Sequence, residues 1–412
     1  MKILWFSNCV ISEAKPTSTG TWLFTMAKSL VEQGIELYNI TQSSSVKDIE
    51  ESSDFLAGQW ILPVYKLKDG LPNKYHIKKI QEIVLQVTPD IIHIWGMENY
   101  WGLLSARGYI KGKILLEIQG IKFSCVEAFA GGLSIKEQLQ CFKFKEFLVP
   151  SISIFGKQNE YKRWGDFEKE MLVSHSIIST QSKWVRAWIK PYISGNAEVV
   201  STKISVRDEF LEDKIWCYPE NKPISLMCVA SCISYKGIHI AIRALALLKK
   251  TYPNIILKIA GNFLSNRPFY RISGYMLYLK ELINELGLRD NVKFLGSLNA
   301  SEIVEESCNC HAMIHPSFVE SYSLALAESM AIGVPSVISY AGAMTELAEN
   351  SVSGLFYKSD DFHQCAALIS SLIENPELSN NISKNAILVG RERNNPFNVV
   401  RRQIEIYRKI LC

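Results

Sequence analysis

The sequence lacks any run approaching the ~20 apolar residues that a membrane-spanning helix requires. No G-x-G-x-x-G opens either half, which argues against a nicotinamide dehydrogenase. Ten cysteines are present, with close pairs at Cys228/Cys232 and Cys308/Cys310, yet neither pair has a second pair or a histidine at zinc spacing. They read as reduced, buried thiols of a cytosolic protein. No acidic pair of the Asp-x-Asp sort stands out, and no metal site is expected. Charge of one sign is also scarce, with 45 basic against 41 acidic residues and a net charge of +4. That balance is too mild to imply nucleic acid as a partner, although a basic patch can still meet an anionic membrane or a phosphate-bearing substrate. Met1–Glu13 has too short an apolar core for a signal peptide, and no small-residue cleavage site follows it. The expectation is a cytoplasmic protein, soluble or attached to the inner face of the membrane.

What is present is a chain of 412 residues, 48% of them hydrophobic, enough for two or three domains with substantial cores. Short β-type runs alternate with amphipathic helical patterns from end to end. "KILWF" from Lys2, "IELYNI" from Ile35, "DIIHIW" from Asp90, "KILLEI" from Lys113 and "SIIST" from Ser176 read as strands. Gly20–Gly34 reads as a helix with a glycine stop. The polar stretch Thr41–Asp54 reads as a surface loop. Such alternation predicts doubly wound parallel sheets. A hydrophilic break with two prolines, Asp208–Pro223, predicts a linker, after which the pattern restarts. The predicted organisation is an α/β protein with two facing Rossmann-like domains: residues 1–205, a linker 206–222, and residues 223–394. A final helix, 395–412, is expected to pack back on the first domain. Doubly wound sheets bind ligands at the carboxyl ends of their strands.

One segment carries chemistry. "HAMIHPSFVESYSLALAESMAIGVP" reads as a strand ending at His315-Pro316, a loop, and a helix closed by Gly333 and Pro335. The first-turn N–H groups of such a helix favour an anion, most simply phosphate. Glu320 stands at that mouth and Glu328 eight residues on. Eight helical residues rise about 12 Å, so the two acids cannot act on one atom. They fit the two ends of a longer ligand, a hexose at Glu320 and a ribose at Glu328, with a diphosphate on the N–H groups of Tyr322, Ser323 and Leu324. Sugar hydroxyls donate well to ionised acids.

"ESYSLALAESMAIGVPSVIS" resembles the signature of the retaining glycosyltransferases of family 4, which have the GT-B fold. "VASCISYKGIHIAIRAL", "LKIAGN", "NVKFLGSL" and "YAGAMTELAENSVSGLFY" are similar to that family's further landmarks, in order, over about Ile224–Tyr357. "DIIHIWG" and "LLEIQG" resemble its first-domain strands more loosely. The resemblance implies a hexosyltransferase that takes its sugar from a nucleotide-diphospho-sugar without a metal. Lys236 would neutralise the departing diphosphate, Glu320 orient the transferred sugar, and Glu328 hold the ribose. Gly296 would lie by the base, and the turn at Ser18-Thr19-Gly20 would meet the donor from the first domain. The implied acceptor is a glycan or lipid-linked glycan of bacterial surface-polysaccharide synthesis.

This chain departs from the family's pattern at several points. Ser231 stands where an arginine is usual, with Arg267 a candidate substitute. Thr19-Gly20 replaces paired glycines, and Ser321-Tyr322-Ser323 replaces a glycine-rich loop. Gln119 replaces a histidine; it can hydrogen-bond a sugar but cannot carry a proton. His93 ends a predicted strand and reads either as cleft-lining or as structural. "FAGGLS", Phe129–Ser134, reads as an acceptor loop or a flexible turn. Cys141–Trp164 mixes aromatic and basic residues, which fits contact with an anionic membrane or a packed core with solvated lysines. A same-fold nucleotide-sugar epimerase and a non-catalytic sugar-nucleotide or glycan-binding protein are the alternatives.

Overall fold

The computed structural model describes residues 1–13, 22–263 and 272–412. They form two compact units. The first comprises Met1–Phe123, Lys162–Ser205 and Asn394–Cys412, and the second comprises Ser124–Tyr161 and Val206–Arg393.

The first unit is built on an eight-stranded sheet. Its strands are β1 (Lys2–Phe6), β2 (Glu36–Ser43), β3 (Glu50–Ser52), β4 (Gly58–Pro63), β5 (Ile91–Trp95), β6 (Ile114–Ile118), β7 (Ile177–Thr180) and β8 (Glu198–Ser201), in the order β3-β4-β2-β1-β5-β6-β7-β8. All neighbours are parallel except β3, which runs antiparallel to β4. The central strands are buried throughout, as expected of a sheet covered on both faces. The expected loop at Thr41–Asp54 is corrected: β2 extends to Ser43 and β3 lies within it.

The second unit holds a six-stranded parallel sheet: β9 (Ser225–Val229), β10 (Ile256–Ala260), β11 (Val292–Gly296), β12 (Ala312–His315), β13 (Ser336–Ser339) and β14 (Leu355–Tyr357). Its order is β11-β10-β9-β12-β13-β14. Strand order reverses on either side of β9, so the carboxyl ends of β9 and β12 flank a topological switch point.

Two boundaries differ from the sequence expectation. Residues 124–161, expected in the first domain, pack with the second unit. The expected linker is no free connection either. Trp216 is 3% exposed and donates its indole N–H to the Cys310 carbonyl at 2.8 Å. The Trp216 amide reaches the Ile332 carbonyl at 2.8 Å.

The last helix, Pro396–Leu411, starts as its sequence predicts. Asn395 caps it by accepting from the Asn398 amide, and proline follows at the first turn. Its Tyr407 is fully buried in the first unit; the phenol accepts from the Trp5 indole at 3.0 Å and meets His93 Nδ1 at 2.7 Å.

Candidate active site

In the second unit, the sequence landmarks converge at the carboxyl ends of the strands. β9 leads into the turn Ser234–Lys236, closed by Gly237 at φ +69°. A Cβ on Gly237 would stand 1.9 Å from the Pro316 carbonyl oxygen, so only glycine lets this turn touch the loop after β12. The Phe318 amide donates to the Tyr235 carbonyl at 2.8 Å and fixes the same approach. Lys236 Nζ thereby donates to Glu320 Oε1 at 2.7 Å, and Ser317 Oγ donates to the same oxygen at 2.7 Å. The side chains keep 22% and 15% of their surface exposed, enough for a ligand to reach them. A second glycine holds Glu320 from behind. Gly342, at φ +55°, would place a Cβ 2.0 Å from the Glu320 carbonyl, which accepts from the Ala343 amide at 2.9 Å.

The helix Leu324–Ile332 opens beside this pair. Ser323 precedes it at φ 81°, ψ 80° and makes no side-chain cap. The Tyr322 ring is buried, so a ligand there would meet backbone. First-turn N–H groups of a helix lack intrahelical partners, so the mouth at Leu324 suits an anion.

Glu328 lies in a different setting. It is 4% exposed, and both its oxygens accept from Arg207, Oε1 from Nε at 2.6 Å and Oε2 from Nη2 at 2.8 Å. The guanidinium also sits over the Phe210 ring, 4.9 Å from its centroid. Burial pushes the Glu328 carboxyl up, and Arg207 opposes that shift. The expected ribose-holding acid therefore already has a fork-on-fork partner. Arg207 was not singled out in the sequence.

Ser231 is exposed, and its carbonyl accepts from the Ile233 amide at 2.8 Å. Gly261 follows β10 and would place a Cβ 2.2 Å from the Ala230 carbonyl. The Gly261 amide bonds the Gly296 carbonyl at 2.8 Å, and nothing lies within 4 Å of a Cβ built on Gly296. Ser231, Gly296, Lys236 and Glu320 are thus brought to the carboxyl ends of β9, β11 and β12. Gly20, with Ser18 and Thr19, lies outside the described residues, as does Arg267.

The Phe129–Ser134 turn is packed, which corrects the reading of it as a flexible turn. Ser234 Oγ donates to the Phe129 carbonyl. His239 Nε2 meets the Gly131 carbonyl at 2.9 Å. Cβ atoms on Gly131 and Gly132 would run into Ser234 and Phe318. Residues before the second sheet therefore brace the turn that carries Lys236.

In the first unit, Gln119 follows β6 and is partly buried, with Nε2 making no hydrogen bond among the described residues. The Glu98 carboxylate sits beside it, so close to Gly96 and Gly120 that either glycine would clash if it carried a Cβ. Burial raises the Glu98 carboxyl, while nearby backbone N–H groups and the Lys122 ammonium oppose the shift. Glu168 accepts from the amides of Lys122 at 2.9 Å and Phe123 at 3.0 Å, and burial pushes it up to about 8. Neither acid was singled out in the sequence; the glycines flanking Glu98 were the available signal.

His93 is corrected. It is 0% exposed, bonded to Tyr407, and its Nε2 lies 3.9 Å from Glu117 Oε2. Burial holds the imidazole well below its usual range and raises Glu117 to about 7. His93 fastens the last helix to its sheet. His315, 4% exposed beside Ser329, is likewise structural. Among the described residues, no group of three or more His, Cys, Asp or Glu could hold a metal ion.

Residues 212–389 match the sequence model of the family described as "Glycosyl transferases group 1". An uncharacterised glycosyltransferase of Haemophilus influenzae is 28% identical over 42% of this chain and 45% of its own length. The chain thus spans less than half of that curated relative. An O-antigen chain mannosyltransferase of Salmonella typhimurium is 23% identical over 69% of this chain and 72% of its own. Among solved structures, sucrose-phosphate synthase of Thermosynechococcus elongatus superposes with a TM-score of 0.75 at 16% identity, covering 99% of this chain and 98% of its own. Anabaena HepE in complex with UDP-glucose gives 0.71 at 16% identity, covering 99% and 100%. The chain has the GT-B fold, and its second unit carries the match to the glycosyl transferases of group 1.

Proposed function

We propose that the protein is a retaining glycosyltransferase that takes a hexose from a nucleotide-diphospho-sugar. The observation that carries this reading is the 2.7 Å Lys236–Glu320 pair at the carboxyl end of the sheet, beside a helix mouth. In the transfer, the bond between the anomeric carbon and the β-phosphate oxygen breaks, and its electron pair stays on that oxygen. The acceptor oxygen bonds the anomeric carbon on the same face, and its proton passes to the departing phosphate. Lys236 and the N–H groups at Leu324 face the charge that builds on the diphosphate, and preorganised donors of this kind are worth about 10²–10³ in rate each. Glu320 accepts from a hydroxyl of the transferred sugar and orients it. Lys236 supplies the cation that a metal ion supplies elsewhere. Gly296 leaves room for the base, and Glu328, held by Arg207, closes the ribose end.

The proposed acceptor is a glycan or lipid-linked glycan of surface-polysaccharide assembly, reached at the cytoplasmic membrane face. The similarity to an O-antigen mannosyltransferase supports this, as does an apolar strip in the second unit. Ile135, Leu139, Phe144, Phe147 and Leu148, close together in sequence, are 58–75% exposed, and large apolar side chains left in water at this density mark interaction surfaces. Lys136 and Lys145 are interspersed with them in sequence, as suits anionic headgroups. The strip is anchored from below by Lys143–Glu281 at 2.7 Å and by the Gly274 amide donating to Glu146 at 2.8 Å. Phe144→Ser with Phe147→Ser is expected to abolish co-sedimentation with phosphatidylglycerol vesicles; unchanged sedimentation rejects membrane contact.

The enzymatic reading is tested by thermal stabilisation with UDP-, GDP-, ADP- and CMP-sugars, followed by hydrolysis of the best donor by wild type and Glu320→Gln. Stabilisation by one donor and slower hydrolysis by the variant are expected. Equal hydrolysis rejects the role of Glu320.

A further inference from the structure

The loop between β12 and the helix Leu324–Ile332 carries a hydroxyl to which the proposed transfer gives no role. Ser317 is 5% exposed and donates to Glu320 Oε1 at 2.7 Å, the same oxygen that Lys236 Nζ reaches at 2.7 Å. Two donors thus converge on one carboxylate oxygen and leave Oε2 to a ligand. The Glu320 side chain keeps 15% of its surface exposed, so a ligand can come to it. In Glu328, by contrast, both oxygens are taken up by Arg207.

The backbone of this loop is set from several sides. Ser339 Oγ, at the end of β13, donates to the Ser317 carbonyl. The Phe318 amide donates to the Tyr235 carbonyl at 2.8 Å, and the Phe318 ring stacks on His239, with centroids 6.1 Å apart and planes 11° apart. The Glu320 carbonyl accepts from the Ala343 amide at 2.9 Å. These contacts fix where the Glu320 backbone stands, but a glutamate side chain still turns about three bonds. Among the described residues, the carboxylate itself takes hydrogen bonds from Lys236 and Ser317. The two donors differ in what the reaction asks of them. Lys236 is a charge on a flexible four-carbon stem, 22% exposed, and a diphosphate competes with Glu320 for it. Ser317 is short and buried, with its own carbonyl held by Ser339, so it stays where it is. Its hydroxyl is a neutral donor that leaves the carboxylate its charge and has none to lose to the diphosphate.

We propose that Ser317 is the positioning residue of Glu320: its hydroxyl holds Oε1 while Lys236 turns to the diphosphate, and Oε2 is thereby aimed at a hydroxyl of the transferred sugar. This role rests on the reading of the second unit as a sugar transferase. Small losses of orientation in a bound substrate are costly in rate, so the hydroxyl acts on turnover more than on binding. The phosphate end of the site does not depend on it, because Lys236 and the helix mouth are held by other contacts, the Gly237 turn and the Phe318–Tyr235 bond.

The test compares the full chain with its Ser317→Ala variant, using the nucleotide-sugar that stabilises wild type most and the nucleoside diphosphate of that donor. Ser317→Ala is expected to lower kcat for donor hydrolysis about tenfold, the effect of losing one hydrogen bond to a charged group. KM for the donor and calorimetric affinity for the nucleoside diphosphate should stay within about twofold of wild type. A loop that had merely come loose would take Lys236 and the helix mouth with it, and would weaken the nucleoside diphosphate as much as it slowed hydrolysis. Unchanged kcat in Ser317→Ala, or a loss of nucleoside-diphosphate affinity as large as the loss of kcat, overturns the role of Ser317. A wild type that hydrolyses no nucleotide-sugar overturns the transferase reading and this role with it, so wild type alone tells the two failures apart.

Discussion

Two carboxylate–cation pairs stand eight residues apart in the second unit, and they are built for opposite purposes. Lys236–Glu320 joins one oxygen to one ammonium, and both groups stay part-exposed. Arg207–Glu328 joins two oxygens to two guanidinium nitrogens, at 11% and 5% exposure. A part-exposed pair is worth about 0–1 kcal/mol and parts easily when a ligand offers better partners. A buried pair contributes little net stability, yet breaking it is costly because one charge is left without water or partner. The first pair can thus part at little cost, and the second ties Arg207 firmly to the helix Leu324–Ile332.

Substitutions in each pair probe that contrast. Arg207→Ala should destabilise the protein by about 3–5 kcal/mol in urea unfolding, since Glu328 would be left buried and unpaired. Arg207→Met with Glu328→Leu should recover most of the loss; if Arg207→Ala alone costs less than about 1 kcal/mol, the contrast fails. Lys236→Ala should leave stability within about 1 kcal/mol while lowering kcat/KM for donor hydrolysis by about 10²–10³, roughly 3–4 kcal/mol.

A further probe extends the comparison to a buried acid with no cation. Burial raises the Glu117 carboxyl from 4.5 to about 7. Between those values the unfolded chain has released a proton that the folded chain keeps, so this group's contribution falls as pH rises. Glu117→Gln removes the titration. Relative to wild type, its unfolding free energy should rise from pH 4.5 to about 7 and level off above, by the order of 3 kcal/mol at most. A difference that is flat with pH would show that Glu117 ionises normally. The smallest effect concerns the helix mouth: Ser323→Gly should stabilise by about 1 kcal/mol, because glycine adopts a positive φ without the Cβ penalty.

The sequence made the strand–helix alternation legible because buried strands are nearly all apolar and helices repeat at three and four. Lys236 and Glu320 were brought to one site only by the resemblance of their two segments to the landmarks of a known family. Arg207 was illegible, because it meets Glu328 across 121 residues and nothing local marks it among many cations. The allegiance of residues 124–161 depends on equally distant partners, such as Glu137 with Arg243 and Tyr278. β3 escaped notice because Glu50–Ser52 is an exposed edge strand with no apolar alternation. His93 stayed open between two readings because a strand end in sequence does not name its neighbours, while Tyr407, far along the chain, meets it in the fold.

The central claim is that the Lys236–Glu320 pair receives the diphosphate and sugar of a nucleotide donor. Calorimetric titration of the best-stabilising nucleotide-sugar into wild type, Lys236→Ala and Arg207→Met/Glu328→Leu tests it most directly. The account predicts measurable binding by wild type, at least a tenfold loss with Lys236→Ala, and a smaller loss in the double variant. Unaltered affinity in Lys236→Ala, or no binding of any donor by wild type, would contradict it.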